Sequence, residues 1–71
     1  MSTPTYAFAS YGKAEREAEE LAHGDGPWPV WCVVEDFDYG EFIVMPAEAA
    51  DTYVDTWNAE IQYTARLAPE E

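Results

Sequence analysis

The sequence predicts an α+β fold in which two helices pack on one face of a four-stranded antiparallel sheet. Two segments carry apolar residues at helical spacing, and four shorter segments alternate or are continuously apolar, as strands do. A chain of 71 residues is long enough for one domain, and its 48% hydrophobic and 15% aromatic content argues against disorder. Residues 1–71 are therefore predicted to form a single compact acidic domain.

The first half of the chain is predicted to contain a strand, a helix and a second strand. Residues 5–11 alternate around aromatic and small side chains. In residues 13–22 the apolar side chains recur at i, i+4, i+7 and i+8, which is typical of one narrow helical stripe, and Gly24 is a natural stop. Residues 24–29 are rich in Gly and Pro and predict a loop. Residues 30–34 are apolar on both faces, so this strand should be covered on both sides.

The second half is predicted to contain a hairpin, a helix and a last strand. Residues 35–40 form a short acidic turn, and residues 41–45 alternate as the returning strand. Pro46 is well placed to open a helix. Residues 61–67 alternate again and predict the last strand, followed by a frayed tail at 68–71. The apolar stripe of the second helix is predicted to comprise Ala50, Tyr53, Val54, Trp57 and Ile61.

The resulting order is β-α-β-β-α-β, the ferredoxin-like order of elements. Short links and right-handed crossovers favour a four-stranded antiparallel sheet with both helices on one face. The other face would then remain open, which predicts a homodimer or a bound partner unless loops cover it. This open face is expected to carry some of Trp31, Val33, Ile43, Met45 and the alanines of the first strand.

The charge of the chain restricts what it can bind. Fifteen Asp and Glu residues against three Lys and Arg give a formal charge of −12, and no Lys or Arg lies between Arg16 and Arg66. Such a protein repels nucleic acid and anionic membranes and attracts basic surfaces. No apolar run is long enough to span a membrane, and the N-terminus lacks the features of a secretory signal. A cytoplasmic protein that binds a basic partner is expected.

The acidic residues form three groups. One lies on the first helix off its apolar stripe, one in the hairpin turn with interleaved aromatics, and one as a ridge at i, i+3 and i+7 on the second helix. A ridge of carboxylates about 6 Å apart approximates the spacing of phosphates along a nucleic-acid strand. The predicted partner-binding residues are Glu15, Glu19, Glu35, Asp36, Phe37, Asp38, Tyr39, Glu41, Glu48, Asp51 and Asp55.

Two other interpretations explain the charge. A charge run is often a solvated face that aids solubility. Alternatively, a halophilic protein carries excess Asp and Glu because molar salt shortens the screening length to about 3 Å. The second interpretation predicts a small interaction or regulatory module that dimerises through its sheet.

Catalytic and metal chemistry are not predicted. His23, the only histidine, lies at the end of the first helix, where a cation is favourable. Cys32 lies among valines and is expected to be a small buried side chain. The pattern Asp36-x-Asp38-x-Gly40 is similar to a calcium loop, but the glycine and the twelfth residue do not fit one. No cofactor, metal or enzymatic activity is expected.

The whole chain resembles the small acidic inhibitors that bacteriophages and other mobile elements encode, among them anti-CRISPR and anti-restriction proteins. The resemblance lies in size, a pI near 4.1, the α+β order and the acidic groups described above. It implies a non-catalytic DNA mimic that occupies the basic DNA-binding channel of a host defence complex, in the host cytoplasm. The partner would be a basic DNA-binding protein or a ribonucleoprotein complex, and the chain would bind no nucleic acid itself.

Overall fold

The computed structural model describes residues 4–24 and 27–66. The predicted strand residue Leu67 and the tail at 68–71 lie outside this range. Within it, neither helix is long and apolar enough to cross a membrane. The elements are β1 (Tyr6–Phe8), α1 (Tyr11–Ala22), β2 (Val30–Asp36), β3 (Glu41–Pro46), α2 (Ala47–Thr56) and β4 (Ala59–Arg66).

The four strands form one antiparallel sheet in the order β1-β3-β2-β4. The β2–β3 hairpin occupies the centre, and Val33 lies opposite Val44 within it. β1 and β4 form the two edges, and β4 carries a bulge because Tyr63 pairs with Val33 while Ile61 pairs with Val34. The α+β class, the antiparallel sheet and the ferredoxin-like β-α-β-β-α-β order of elements are confirmed.

The prediction that both helices lie on one face is wrong, because α1 and α2 cover opposite faces of the sheet. Trp31 and Val33 of β2 pack with α1, whereas the alternate residues Cys32 and Val34 pack with α2. The reason is the position of β4. The crossovers β1-α1-β2 and β3-α2-β4 run in the same direction across the sheet but start from antiparallel strands, so right-handed connections place their helices on opposite sides.

Two small cores result, one on each side of the sheet. β2 contributes to both, and Val33 and Val34 are fully buried, which confirms that this strand is covered on both faces. The expectation of an open apolar sheet face is wrong because Met45, predicted to lie on it, is buried beneath α2. Dimerisation through that face would require α2 to move away, so the face is not an available interface.

Element boundaries differ from the predictions at the second helix. α2 ends at Thr56, five residues before the predicted stripe does. Trp57 therefore lies outside the helix and is exposed, and Ile61 belongs to β4, where it faces the α2-side core. Ile61 matched the helical spacing by coincidence. Alternate residues of a strand face the same side, so a strand that begins at Ala59 also directs Ile61 toward the core.

The alanine stripe of α1 allows close packing on the sheet. Ala14, Ala18 and Ala22 are at most 1% exposed and contact the core that includes Trp31 and Val33. Because no space remains for larger side chains, Ala18→Leu is expected to lower the free energy of unfolding by about 1–3 kcal/mol in urea denaturation.

The matched control for this prediction is Glu20→Leu, on the exposed side of α1. A surface substitution of this kind should change the free energy of unfolding by no more than about 0.5 kcal/mol. Equal stabilities of the Ala18→Leu and Glu20→Leu proteins would contradict the close packing of α1.

Candidate protein-binding surface

Asp36 organises the β2–β3 turn. Its Oδ1 accepts hydrogen bonds from the backbone N–H groups of Asp38 and Tyr39 at 3.0 and 3.1 Å, and its Oδ2 accepts one from the Tyr53 hydroxyl of α2. Gly40 closes the turn, with a φ of 68° and an N–H that donates to the Asp36 carbonyl at 2.8 Å. The acidic pattern with a following glycine therefore belongs to a turn whose central carboxylate is already occupied by protein donors.

The prediction that Asp36 contributes to a partner-binding surface is wrong. Its side chain is 2% exposed because α2 packs over it. The hydrogen bond from Tyr53, opposed by burial and aided by the two backbone donors, lowers the pKa of Asp36. Burial first, and then the Asp36 carboxylate, raise the pKa of Tyr53 to about 12. Both shifts favour the same protonation state at neutral pH, namely an ionised Asp36 that accepts a hydrogen bond from a neutral Tyr53.

Exposed aromatic side chains gather where this turn lies, which we call the hairpin end. Phe37, Tyr39 and Trp57 are 48%, 77% and 56% exposed. The backbone N–H of Phe37 donates to the carbonyl of Asn58 at 3.1 Å, which joins the β2–β3 turn to the α2–β4 connection. Tyr11, at the start of α1, reaches the same end, with its ring centroid 5.7 Å from that of Phe42.

Carboxylates surround these aromatics at the hairpin end. Glu35 of β2 lies directly opposite Glu60 of β4, and Gln62 donates to Glu35 at 3.1 Å. Asp55 occupies the last turn of α2, where the helix dipole is negative. Like charges opposite each other in a sheet and an acid at a helix C-terminus are both unfavourable for folding. The surface carboxylates of the hairpin end are Glu35, Asp38, Glu41, Asp55 and Glu60.

The predicted acidic residues of the two helices lie on opposite sides of the sheet, and Asp55 of α2 is the one counted with the hairpin end. Glu15 and Glu19 lie on the α1 side of the sheet, where burial and the charge of Glu19 raise the pKa of Tyr63. Tyr11 donates to Glu15 at 3.4 Å. The predicted ridge on α2 lies on the opposite side, so one flat partner cannot contact both groups at once.

The ridge on α2 consists of three exposed residues along one side of the helix. Glu48 lies in the first turn, where a negative charge is favourable, and accepts a hydrogen bond from the Trp28 indole N–H at 2.7 Å. Asp51 and Asp55 continue the ridge toward the hairpin end. The ridge is therefore continuous with the hairpin-end carboxylates, whereas Glu15 and Glu19 lie on the other side of the sheet, where Glu15 contacts the hairpin end through Tyr11.

His23 and Cys32, the two residues considered for catalysis, contribute to the fold. His23 is the C-cap of α1, as predicted, and its backbone N–H donates to the Glu19 carbonyl. Cys32 is buried, as predicted, with its sulfur 3.7 Å from the Thr64 hydroxyl, and burial raises the pKa of its thiol. Among residues 4–24 and 27–66, no group of three His, Cys, Asp or Glu side chains could hold a metal ion.

Sequence reasoning missed three residues of the hairpin end. The helical spacing predicts Trp57 on a buried stripe. Asn58, which forms neither helices nor strands well, is the signal in the sequence that the helix ends before Trp57. Glu60 joins the surface only through the pairing of β4 with β2. Tyr11 lies at the predicted boundary between the first strand and the first helix; it begins α1 and joins the hairpin end through its contact with Phe42.

Comparison of the chain with models of protein families, with curated proteins and with solved structures finds no match in any of the three.

Proposed function

We propose that this protein is a non-catalytic inhibitor that binds the basic DNA-binding surface of another protein or ribonucleoprotein complex and excludes DNA from it. The observation that carries the proposal is the hairpin end, where exposed aromatics lie among surface carboxylates and no Lys or Arg occurs between Arg16 and Arg66. The resemblance to phage-encoded anti-CRISPR and anti-restriction inhibitors makes a host defence complex in the cytoplasm the proposed target.

The placement of charge supports a binding role over simple solubility. Acids that serve only solubility can occupy any exposed position, yet Asp55 lies at the unfavourable end of a helix dipole and Glu35 faces Glu60. Positions that oppose local stability are expected at functional sites. The arrangement therefore favours selection for recognition by a basic partner.

The mechanism is electrostatic attraction followed by steric occlusion. The −12 charge accelerates the encounter with a basic channel, because long-range attraction raises association rates. Phe37, Tyr39 and Trp57 then lose their solvent contact against the partner, and aromatic side chains are the usual source of binding energy at an interface. DNA, which needs the same cationic surface, is displaced by competition.

A DNA-displacement assay tests this function. Purified RNA-guided surveillance complexes and restriction enzymes would be mixed with labelled target DNA and increasing amounts of the protein. We expect the wild-type chain to displace DNA from at least one complex. The double variant Asp38→Lys/Glu41→Lys should require at least about tenfold more protein, since it places positive charge on the surface that contacts the basic channel.

The matched control is Glu17→Lys/Glu20→Lys on α1. Each of the four substitutions adds two charges, so both double variants change the formal charge from −12 to −8. Equal loss of inhibition in both variants would mean that net charge alone matters and would contradict a binding surface at the hairpin end.

A third variant, Asp51→Lys/Asp55→Lys, shows whether the α2 ridge belongs to the binding surface. Failure of the wild-type protein to displace DNA from every complex would contradict the proposed function.

A further inference from the structure

An open groove runs along one side of α2. This helix packs on β2, β3 and β4 but, within the described residues, does not reach β1. The space between α2 and the start of β1 is about 540 Å³, with Met45 in its floor and Thr5 on the far side. We call this space the α2 groove. Its α2 wall consists of Glu48, Ala49, Thr52, Tyr53 and Thr56, and Trp57 closes the end nearest the hairpin.

The polar side chains on this wall present acceptors. The Thr52 hydroxyl donates to the Glu48 carbonyl at 3.5 Å, and the Thr56 hydroxyl donates to the Thr52 carbonyl at 2.9 Å. The Tyr53 hydroxyl donates to Asp36. Each hydroxyl proton is thus committed inside the protein, and the oxygen that remains can only accept. Glu48 adds a carboxylate, so the wall is suited to a ligand that is rich in hydrogen-bond donors.

The aromatic end of the groove is suited to a cation. The rings of Tyr53 and Trp57 lie 6.2 Å apart at 42°, and Trp57 is 56% exposed. After burial, the negative charges of Asp36 and Glu41 also raise the pKa of Tyr53, and with Glu48 these carboxylates give the groove a negative environment. A ring face in a negative field attracts guanidinium and ammonium groups.

We infer that the α2 groove binds an arginine side chain of a basic protein partner, with the guanidinium over Trp57 and its N–H groups directed at the acceptors of the α2 wall. Arginine has five donors in a planar fork and no acceptor, which matches a wall of acceptors beside an aromatic ring. Among the described residues that line the groove, Glu48 is the one that carries a charge, which agrees with a cationic occupant. This inference deepens the proposed function, because it identifies what the basic partner inserts.

The test uses blocked Gly-Gly-Arg-Gly-Gly peptide and its lysine and citrulline analogues, titrated into the ¹⁵N-labelled full chain at low salt. We expect the arginine peptide to shift the Trp57 indole N–H and the Thr52 and Thr56 amides saturably. Citrulline has almost the same shape without the charge and should cause little shift. Lysine should bind more weakly than arginine because a single ammonium cannot contact the wall as a fork does.

Two variants separate the parts of the groove. Trp57→Ala should weaken arginine binding by about 2- to 30-fold, as loss of a cation–π contact does, while the exposed position leaves the fold intact. Thr52→Val/Thr56→Val should reduce the preference for arginine over lysine. Tyr6→Ala, an exposed aromatic on the α1 side, is the control and should leave binding unchanged.

Several outcomes would overturn the inference. They are equal binding of arginine and citrulline peptides, lysine binding as tight as arginine, or shifts confined to the α1 acids Glu15 and Glu19. The peptide experiment involves no DNA-binding complex, so its failure is distinct from failure of DNA displacement. Inhibition that depends on Asp38 and Glu41 but is unchanged in the Trp57→Ala protein would leave the proposed function standing and exclude the α2 groove from it.

Discussion

Replacing Asp36 with alanine is expected to destabilise the protein more than any other single substitution in the β2–β3 turn. Three donors, the Tyr53 hydroxyl and the N–H groups of Asp38 and Tyr39, would lose an acceptor that is itself only 2% exposed. A chain of this length has a total stability of only about 4–11 kcal/mol. Chemical denaturation monitored by circular dichroism would measure the loss.

Tyr53→Phe removes one of these donors and keeps the ring. We expect it to lower the free energy of unfolding by about 1.5–3 kcal/mol, the usual contribution of a hydrogen bond to a charged group. The control Asp38→Ala, which removes an exposed carboxylate from the same turn, should change stability by no more than about 0.5 kcal/mol. If Asp38→Ala destabilised the protein as much as Tyr53→Phe does, the assigned role of the Asp36–Tyr53 contact would be wrong.

The difference in stability between wild type and Tyr53→Phe should depend on pH at both extremes. The pKa of Asp36 is lowered by folding, so its contribution is present above the ordinary carboxyl pKa and is lost as the pH falls through the lower, folded value. The pKa of Tyr53 is raised to about 12, so its contribution is complete below the unfolded value of 10.0 and is lost as the pH rises through about 12. A difference that stays constant between pH 2 and pH 12 in thermal denaturation would contradict this account.

The second large effect is expected from salt. If the carboxylates of the hairpin end bind a basic channel, affinity for the partner should fall on the order of 100-fold between 50 and 200 mM KCl, as protein–DNA affinity does when several charge contacts form. Isothermal titration or fluorescence anisotropy against an inhibited complex would measure the dependence. Affinity that is insensitive to salt would contradict an electrostatic mechanism and would favour an interface made by aromatic residues alone.

Folding over the same salt series tests the halophilic interpretation. An inhibitor that acts in an ordinary cytoplasm must be folded near 0.1 M salt, whereas a halophilic domain would lose structure there because its charges repel one another without screening. We expect the far-ultraviolet circular dichroism spectrum to be the same at 0.1 M and 2 M KCl. Unfolding at 0.1 M KCl would instead support salt adaptation as the reason for the −12 charge.

The sequence by itself determined the elements and their order, because hydrophobic periodicity and turn residues act locally. Residues 30–34 are apolar without alternation, and this alone indicated a strand covered on both faces, as β2 is. The alanine stripe of α1 and the acidic turn were also predictable. The exposed hairpin-end residues Phe37 and Tyr39 follow from a turn that the sequence located within a residue or two.

Only the tertiary structure decided where β4 lies, and most of the candidate surface depends on that. Pairing of β4 with β2 instead of β1 sent α2 to the opposite face, which closed the predicted dimer interface and separated Glu15 and Glu19 from the α2 ridge. The same pairing placed Glu60 opposite Glu35. Local pattern cannot choose between the two edges of a sheet, since β4 has the same alternation at either one, and the choice depends on contacts between residues far apart in the chain.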